Sequence, residues 1–267
     1  MQLEVHGARG SIPISGSGCL TYGGNTSCFE IDLDDGHRVL IDCGSGMSRV
    51  QNSLPSMTGN RFTAFFTHYH WDHIAGLLLF RPLWEAGNDF VFIGPTAAGS
   101  DIKRSLSGAI RPPWFPVSIL DSPANMTFQG VEPVTQLDGI KVTARPLNHP
   151  QGVIAYRIDG PERSVVIATD HEAGTDSDEA LVDLAKGADV LIHDAEYTPE
   201  EYPNKVGWGH STFDQAIDAA ESADIKRLVL TSHDPEHDDL TIDDIIARAR
   251  QRFPDTFGAR EGMVIPL

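Results

Sequence analysis

The stretch Phe65–Phe80, FFTHYHWDHIAGLLLF, places His68, His70, Asp72 and His73 within six residues between two apolar runs. Imidazole and carboxylate groups are costly to remove from water unless another group compensates them. The apolar residues before the cluster predict a strand, and those after it predict a helix. The four polar residues are therefore expected at a strand-to-helix junction, where free backbone amides favour an anion.

Other strands are followed by residues of the same chemical types. His149 follows VTARPLN, Asp170 follows SVVIAT, and His233 follows RLVLTS. His68 and His70 are two positions apart, so they point to the same side of the chain. Side chains of this kind at several strand ends predict one shared rim that binds metal. Imidazole and carboxylate ligands suit Zn²⁺, with Mn²⁺, Fe²⁺ and Co²⁺ as alternatives.

The composition limits the partners of such a site. The chain has 38 acidic and 20 basic residues and a formal net charge of −18, which repels nucleic acid and anionic membranes unless a basic patch or metal reverses it. Cys19, Cys28 and Cys43 lack metal-type spacing and indicate buried thiols in a reducing compartment. We find no signal pattern and no membrane-spanning apolar run, so the expected location is cytoplasmic, without a membrane partner.

Strand and helix signals alternate without a low-complexity linker, which predicts one α/β domain over residues 1–267. The predicted strands are QLEVHG, CFEIDLDDGHRVLIDCG with a hairpin turn at Asp35 and Gly36, RFTAFFTH, IKVTARPLNH, VIAYRIDG, RSVVIATD, ADVLIHD and KRLVLTSHD. The predicted helices are DHIAGLLLFRPLWEAG, ending near Gly87, then DEALVDLAKG, STFDQAIDAAESADI, opened by Ser211 or Thr212, and TIDDIIARARQRF, capped by Thr241. The proline-rich segment 108–125 is expected to be a long ordered loop.

The motif HYHWDH, followed in order by His149, Asp170 and His233, resembles the metallo-β-lactamase superfamily over essentially the whole chain. The resemblance implies a four-layer αββα sandwich of two similar halves, with two divalent metal ions along one edge. The ligands that it implies are His68, His70 and His149 for the first metal, Asp72, His73 and His233 for the second, and Asp170 as the bridge. A bridging Asp, where true β-lactamases often carry Cys, points to phosphodiesters, thioesters and lactones rather than antibiotics.

Three longer segments, GARGSIPISGSGCLTYGGNTSCFEI, IDCGSGM and GHSTFDQAIDAAESADIKRLVLTSHD, are similar to the ribonuclease Z-like group. That group includes the tRNA 3′-processing enzyme and small phosphodiesterases that act on cyclic phosphates. The resemblance makes His210 the expected proton donor and substrate contact beside the leaving oxygen, with a capping role beside Ser211 as the alternative. Asn25 and Thr26, in a loop shaped mainly by glycine turns, and Asp194 are expected to support the site from behind the ligands.

Four further residues have two interpretations each. His171 either lines the site or caps a turn. Trp71 is expected to pack rather than to contact substrate. Trp114 and Phe115 either anchor the proline-rich loop, which we favour, or form a stacking platform that binds substrate.

The spacing of the ligands differs from that of tRNA-processing enzymes with an RNA-gripping arm. The resemblance places such an arm between the third His ligand and the bridging Asp, but His149 and Asp170 are only 21 positions apart, which leaves room for one hairpin. Together with the acidic charge, this spacing disfavours nucleic acid and favours a small cyclic phosphodiester as substrate. The sequence leaves a homodimer open.

The mechanism expected of such a site is attack on phosphorus by a hydroxide that bridges the two metals. Asp72 would help to orient the hydroxide, and His210 would protonate the leaving oxygen. The sequence thus predicts a dinuclear metal-dependent phosphodiesterase. Hydrolysis of a lactone or thioester, tRNA 3′ processing, and a non-catalytic role as a metal-binding sensor or scaffold are the alternatives.

Overall fold

The computed structural model describes residues 1–33, 36–96 and 101–267, which form two sheets flanked by helices. The strands are β1 Gln2–Gly7, β2 Cys28–Asp32, β3 His37–Ile41, β4 Arg61–Phe65, β5 Asp89–Gly94, β6 Asn125–Gly130, β7 Val134–Leu137, β8 Ile140–Leu147, β9 Val153–Asp159, β10 Ser164–Ala168, β11 Val190–Asp194, β12 Arg227–Thr231, β13 Thr256–Gly258 and β14 Val264–Pro266. The helices are α1 Met47–Ser53, α2 Trp71–Ile74, α3 Ile102–Ala109, α4 Ser177–Ala185, α5 Phe213–Ser222 and α6 Asp239–Arg250.

The two sheets have seven strands each and pack face to face. Their strand orders are β14-β1-β2-β3-β4-β5-β6 and β13-β12-β11-β10-β9-β8-β7. Val5 and Phe65 of the first sheet share a buried apolar cluster with Ile158 and Ile167 of the second. One further apolar cluster lies between the first sheet and its helices, and another lies between the second sheet and its helices. The predicted four-layer αββα sandwich is therefore confirmed.

The direction of the strands determines where the functional residues meet. Strands β3 to β6 are parallel to one another, as are β10 to β13. Strand β9 is antiparallel to both of its neighbours, so β8 and β10 run in the same direction. Since the carboxyl ends of parallel strands meet at one edge of a sheet, the loops after β4, β8, β10, β11 and β12 converge on one rim.

The helix predicted after the histidine cluster is wrong in length. Helix α2 has four residues and is followed by two 3₁₀ turns, Ala75–Leu79 and Arg81–Trp84. Pro82 has no backbone N–H to continue an α-helix. Gly76 packs against the chain so closely that a β-carbon would lie 2.0 Å from the carbonyl oxygen of Gly44. Close packing against this loop therefore replaces regular helix geometry.

The predicted starts of α5 and α6 agree more closely with the structure. Thr212 caps α5 and forms a capping box with Gln215, which confirms one of the two predicted caps. Helix α6 begins earlier than predicted, because Asp238 rather than Thr241 is its cap and accepts the N–H of Thr241. The predicted turn residue Asp35 lies outside the described residues.

No helix in the described ranges is long and apolar enough to cross a membrane. The three cysteines are buried and unpaired, as the sequence predicted for a reducing compartment. The cytoplasmic location itself stays a prediction.

Candidate metal centre

Residues from both sheets meet at the shared rim. One ring nitrogen from each of His68, His70 and His149 lies within 4.8 Å of those of the other two residues. One ligand atom from each of His68, His73 and Asp170 likewise lies within 4.8 Å of those of the other two. His68, His70 and His73 come from the loop after β4, whereas His149 follows β8 and Asp170 follows β10. The structure thus brings together five of the predicted ligands from distant parts of the chain.

Hydrogen-bond partners hold the imidazole rings of His68 and His149 at Nδ1, the nitrogen that faces away from the cluster. His68 Nδ1 lies 3.0 Å from Thr67 Oγ1, and His149 Nδ1 lies 2.7 Å from the carbonyl oxygen of Gly209. His68 Nε2 is buried and has no hydrogen-bond partner within the described ranges. Burial lowers the pKa of both His68 and His149, which keeps their Nε2 lone pairs available. Such orientation by a second partner is typical of metal-binding histidines.

The spacing of the nitrogens tests whether these residues suit a cation. His70 Nδ1 and His149 Nε2 lie 3.2 Å apart, while His70 Nε2 lies 2.9 Å from Gln151 Oε1. Two nitrogens bound to one tetrahedral Zn²⁺ at about 2.0–2.1 Å would be about 3.3 Å apart. The donor set formed by His68, His70 and His149 therefore fits a divalent cation.

Asp170 lies between the two groups of ligands. Its Oδ2 atom is 3.0 Å from His73 Nε2, 3.5 Å from His68 Nε2 and 4.0 Å from His149 Nε2. His73 Nε2 is also 3.1 Å from Asp72 Oδ2. One carboxylate oxygen therefore reaches both ligand sets, as a bridging ligand must.

Asp42 is a supporting residue that sequence reasoning missed. Its Oδ2 atom lies 2.6 Å from His73 Nδ1, and its Oδ1 atom accepts the backbone N–H of Thr67 over 2.9 Å. Burial opposes protonation of His73, but the carboxylates of Asp170, Asp72 and Asp42 together raise its pKa well above the usual range. The signal was present in the sequence, since Asp42 directly follows β3 and β3 runs parallel to β4.

His210 and Asp194 form a buried pair beside the cluster. His210 Nδ1 lies 2.7 Å from Asp194 Oδ2, and the backbone N–H of Ser211 donates to Asp194 Oδ1 over 3.0 Å. A His210 nitrogen lies within 4.8 Å of ligand atoms of His149 and Asp170. Burial opposes protonation of His210, but the carboxylates of Asp194 and Asp170 raise its pKa to about 10. These carboxylates therefore favour the protonated form of the His210 ring.

His233 lies outside this arrangement, contrary to the implied ligand set. Its Nε2 atom is 2.9 Å from the carbonyl oxygen of Ala259, and its ring packs edge-on against Tyr22 with centroids 5.5 Å apart. The preceding residue, Ser232, donates its hydroxyl to Asp170 Oδ1 over 3.1 Å. Ser232 has a φ of +57°, so the regular alternation of β12 ends there, and Ser232 rather than His233 contacts the cluster.

Two other predicted residues have partners away from the ligands. The side chain of Asn25 accepts from Ser45 Oγ over 2.9 Å and donates to Glu261 over 3.0 Å, so it joins loops rather than contacting a ligand. His171 Nε2 lies 3.1 Å from Asp178 Oδ1. His171 lines a separate cavity of about 310 Å³ beside α4 and α5.

A cavity of about 450 Å³ opens in front of the cluster, and two tryptophans border it. Trp71 and Trp208 are 49% and 59% exposed, so the expected packing role of Trp71 is wrong, and Trp208 was missed. The cavity residues are Ser11, Tyr69, His70, Trp71, Asp72, His149, Asp170, Tyr197, Trp208 and His210. Trp114, for which substrate contact is the less favoured of the two interpretations, is exposed outside this cavity. Phe115 packs against Trp84 with ring centroids 5.5 Å apart, which agrees with a loop anchor.

Comparison with known proteins identifies the family. The family model described as "Beta-lactamase superfamily domain" matches residues 37–233. The chain belongs to the β-lactamase superfamily. The segment matched in this superfamily member contains all of the predicted metal ligands.

This superfamily member is similar to several known proteins over nearly its whole length. Ribonuclease Z from Synechococcus sp. (strain CC9311) is 27% identical over 305 aligned positions, which cover 92% of the chain and 94% of the relative. The metallo-β-lactamase fold protein YhfI from Bacillus subtilis gives a TM-score of 0.76 at 18% identity, with 99% of the chain and 98% of YhfI covered. A diphosphatase from the PhnP family gives a TM-score of 0.72 at 21% identity, with 100% and 97% covered. The predicted resemblance to the ribonuclease Z-like group agrees with these relatives, and the prediction of a metal-dependent hydrolase is confirmed.

Proposed function

We propose that this superfamily member hydrolyses small phosphodiesters with two divalent cations held at the shared rim. The observation that carries the proposal is the position of Asp170 Oδ2, which lies within 4.0 Å of three imidazole nitrogens and faces a cavity large enough for one small ligand. His210, whose protonated form is favoured by the neighbouring carboxylates, borders the same cavity, so a proton donor lies beside the ligands. A phosphodiester needs both kinds of group, since it is anionic and its leaving oxygen is basic.

The residues around the cavity have different roles in the proposed reaction. When bound, the two cations supply Lewis-acid activation of water and of the phosphoryl oxygens. Asp72, which is held by the backbone N–H of Ser11 over 3.0 Å, is placed to orient the attacking water. His210 donates a proton to the leaving oxygen, and Asp194 keeps the His210 ring in position.

The two tryptophans suit a flat aromatic group on the substrate, such as a nucleobase. Trp71 lies at the start of α2, Trp208 lies in the loop before α5, and both border the cavity. The ammonium group of Lys205 lies 4.4 Å from the Trp208 ring centroid, so this edge of the acidic protein carries a cation near the cavity. Aromatic side chains bind bases by stacking with little dependence on sequence.

Trp208→Ala is expected to raise KM for a cyclic nucleotide by about tenfold, because stacking on an aromatic side chain contributes about 1–3 kcal/mol per base. The value of kcat should stay within about twofold, since the ring acts on binding rather than on the chemical step. Steady-state kinetics of this variant would be compared with Trp114→Ala, which removes another exposed tryptophan ring outside the cavity. Equal KM effects in the two variants would contradict the stacking role.

RNA processing is the second candidate function, and the names of the relatives favour it. The expectation that nucleic acid is disfavoured as a partner is not confirmed, since curated relatives carry the names ribonuclease Z and ribonuclease BN. Between His149 and Asp170, however, the structure contains only β9, β10 and their connecting turns, with no added arm in this fully described stretch. The net charge of −18 also leaves few basic groups to grip RNA.

A substrate panel tests the proposed function against these alternatives. The panel contains 2′,3′- and 3′,5′-cyclic nucleotides, bis-p-nitrophenyl phosphate, lactones, thioesters and precursor tRNA. We expect kcat/KM on the best cyclic nucleotide to exceed that on precursor tRNA by about 100-fold or more, because most RNA affinity comes from basic contacts to phosphates. Efficient and position-specific cleavage of the tRNA 3′ end at physiological salt would establish the RNA function instead.

A further inference from the structure

Glu172 is a buried carboxylate in the loop after β10. Its Oε1 atom accepts the backbone N–H of Gly207 over 2.6 Å and the hydroxyl of Tyr202 over 3.0 Å. Its Oε2 atom accepts the backbone N–H of Gly209 over 2.8 Å. Hydrogen bonds to a charged acceptor are about twice as strong as those between neutral groups. One carboxylate therefore holds the backbone on both sides of Trp208.

The ring of Trp208 depends on this backbone for its position. The side chain is 59% exposed, so packing against other side chains restrains it little. Lys205, whose ammonium group lies 4.4 Å from the ring centroid, belongs to the same segment, because the N–H of Trp208 donates to the carbonyl oxygen of Lys205 over 3.0 Å. Lys205 therefore moves with Trp208 rather than fixing the ring to the rest of the protein.

The same segment is joined to the first ligand set. The carbonyl oxygen of Gly209 lies 2.7 Å from His149 Nδ1, and a β-carbon on Gly209 would lie 2.2 Å from that nitrogen. The backbone N–H of Glu172 donates to the carbonyl oxygen of Asn148 over 2.9 Å, and the side-chain amide of Asn148 donates to the carbonyl oxygen of Glu172 over 2.9 Å. Glu172 therefore sets the position of Trp208 relative to the metal ligands.

A contribution to stability alone is the alternative role for Glu172. Removing a carboxylate from water is costly, even when its hydrogen bonds are satisfied. The segment that Glu172 holds returns little apolar burial for this cost, since Val206 and Trp208 are 64% and 59% exposed. A binding loop that is ordered before its ligand arrives, however, lowers the entropy cost of binding. The arrangement therefore suits recognition better than stability.

We propose that Glu172 is a positioning residue that favours substrates with a nucleobase, because it keeps the Trp208 ring at the border of the cavity. The inference rests on the proposed function, in which this ring stacks on the base. Glu172 acts through Trp208, because the described residues that line this cavity do not include Glu172. Its effect is therefore on the affinity for base-bearing ligands and not on the chemical step.

Equilibrium binding of a matched ligand pair tests this role without relying on turnover. The probes are adenosine 5′-monophosphate and ribose 5-phosphate, which differ by the base, and calorimetry measures their Kd on the protein loaded with Zn²⁺. Glu172→Gln keeps the size of the side chain but replaces one acceptor oxygen with an NH₂ group, which cannot accept an N–H of the segment. We expect Kd for the adenosine ligand to rise about tenfold, and Kd for ribose 5-phosphate to stay within about twofold.

A double variant shows whether Glu172 acts through the Trp208 ring. Trp208→Ala alone should give the same rise in Kd for adenosine 5′-monophosphate as Glu172→Gln alone. The double variant should raise this Kd about tenfold rather than about 100-fold, because two changes that remove one interaction are not additive. Glu201→Gln is the matched control, since Glu201 lies in the same connection but accepts the backbone N–H of Thr198 over 2.7 Å. It should bind both ligands as the wild-type protein does.

A second variant covers the case in which Glu172→Gln does not fold, as judged by circular dichroism. Tyr202→Phe removes one of the three donors to Glu172 and should raise Kd for adenosine 5′-monophosphate about threefold, the effect of one hydrogen bond. Its Kd for ribose 5-phosphate should not change. An unchanged Kd for the adenosine ligand in this variant would then overturn the role of Glu172.

The possible outcomes separate the inference from the proposed function. Unchanged affinity for adenosine 5′-monophosphate in folded Glu172→Gln, equal losses for the two ligands, or additive effects in the double variant would each overturn the role of Glu172. A wild-type protein that binds the two ligands equally, or binds neither, would do the same and leave the proposed hydrolysis intact. A protein that recognises the base through Glu172 and Trp208 but cleaves no phosphodiester would overturn the proposed function alone.

Discussion

Asp170→Ala is expected to empty both metal positions and to lower turnover on any phosphodiester substrate by about 10⁴-fold or more, the scale seen when a residue shared by a whole catalytic unit is removed. The reason is geometric, since Asp170 Oδ2 lies within 4.0 Å of an imidazole nitrogen of each of His68, His73 and His149. Its removal also takes a carboxylate away from His68 and His149, whereas His73 keeps those of Asp42 and Asp72. Elemental analysis of the purified variant, together with the rate on bis-p-nitrophenyl phosphate, measures both effects.

Asp178→Ala is the matched control for this experiment. Asp178 also lies within hydrogen-bond distance of a histidine, His171, but it does so in the neighbouring cavity beside α4. The control should keep its metal and its turnover. Full metal occupancy in the Asp170→Ala protein would show that Asp170 is not the bridge.

His210→Ala is expected to keep both metal ions and to lose turnover according to the leaving group. A ribose alkoxide is a strong base that departs poorly without a proton, whereas p-nitrophenolate departs readily. The loss should therefore be about 10²- to 10⁴-fold on a cyclic nucleotide, the usual range for a positioned acid, and much smaller on the nitrophenyl ester. Rates on both substrates and the metal content of the same preparation are the measurements.

Asp194→Asn refines the assignment of His210. The amide still fills the space but no longer carries the charge that holds the His210 ring protonated, so its losses should follow the same leaving-group order with smaller size. Equal losses on the two substrates in His210→Ala would indicate phosphate binding rather than proton donation. Loss of metal in that variant would assign His210 a structural role.

Much of the centre could be predicted because its residues follow strands. Buried strands such as SVVIA are recognisable from unbroken apolar runs, and the polar residue that follows each one lies at the carboxyl edge of a sheet. His68, His149 and Asp170 were found in this way, although more than 100 positions separate the first from the last. Strand ends and side-chain chemistry were sufficient where the strand stayed regular up to its last residue.

The remaining features depend on backbone conformation and on contacts between distant loops. At the end of β12, chemistry favours His233 over Ser232, but the positive φ at Ser232 changes which of the two contacts Asp170. No pattern in a single sequence indicates such a change in direction. Trp208 lies in the long connection between β11 and α5, where no periodicity constrains its position. Its place beside the cavity becomes visible only when the loops are seen together.

The division of the ligands between the two sheets has a consequence for biosynthesis. The loop that carries His68, His70, Asp72 and His73 leaves the ribosome well before His149 and Asp170 are translated. A nascent first half has part of each donor set and no bridging carboxylate, so we expect it to hold divalent ions only loosely. Firm capture waits until both sheets have docked. The ions in the mature enzyme should therefore reflect the pool that surrounds the finished chain, and overexpression in a zinc-rich or manganese-rich medium should change its metal content.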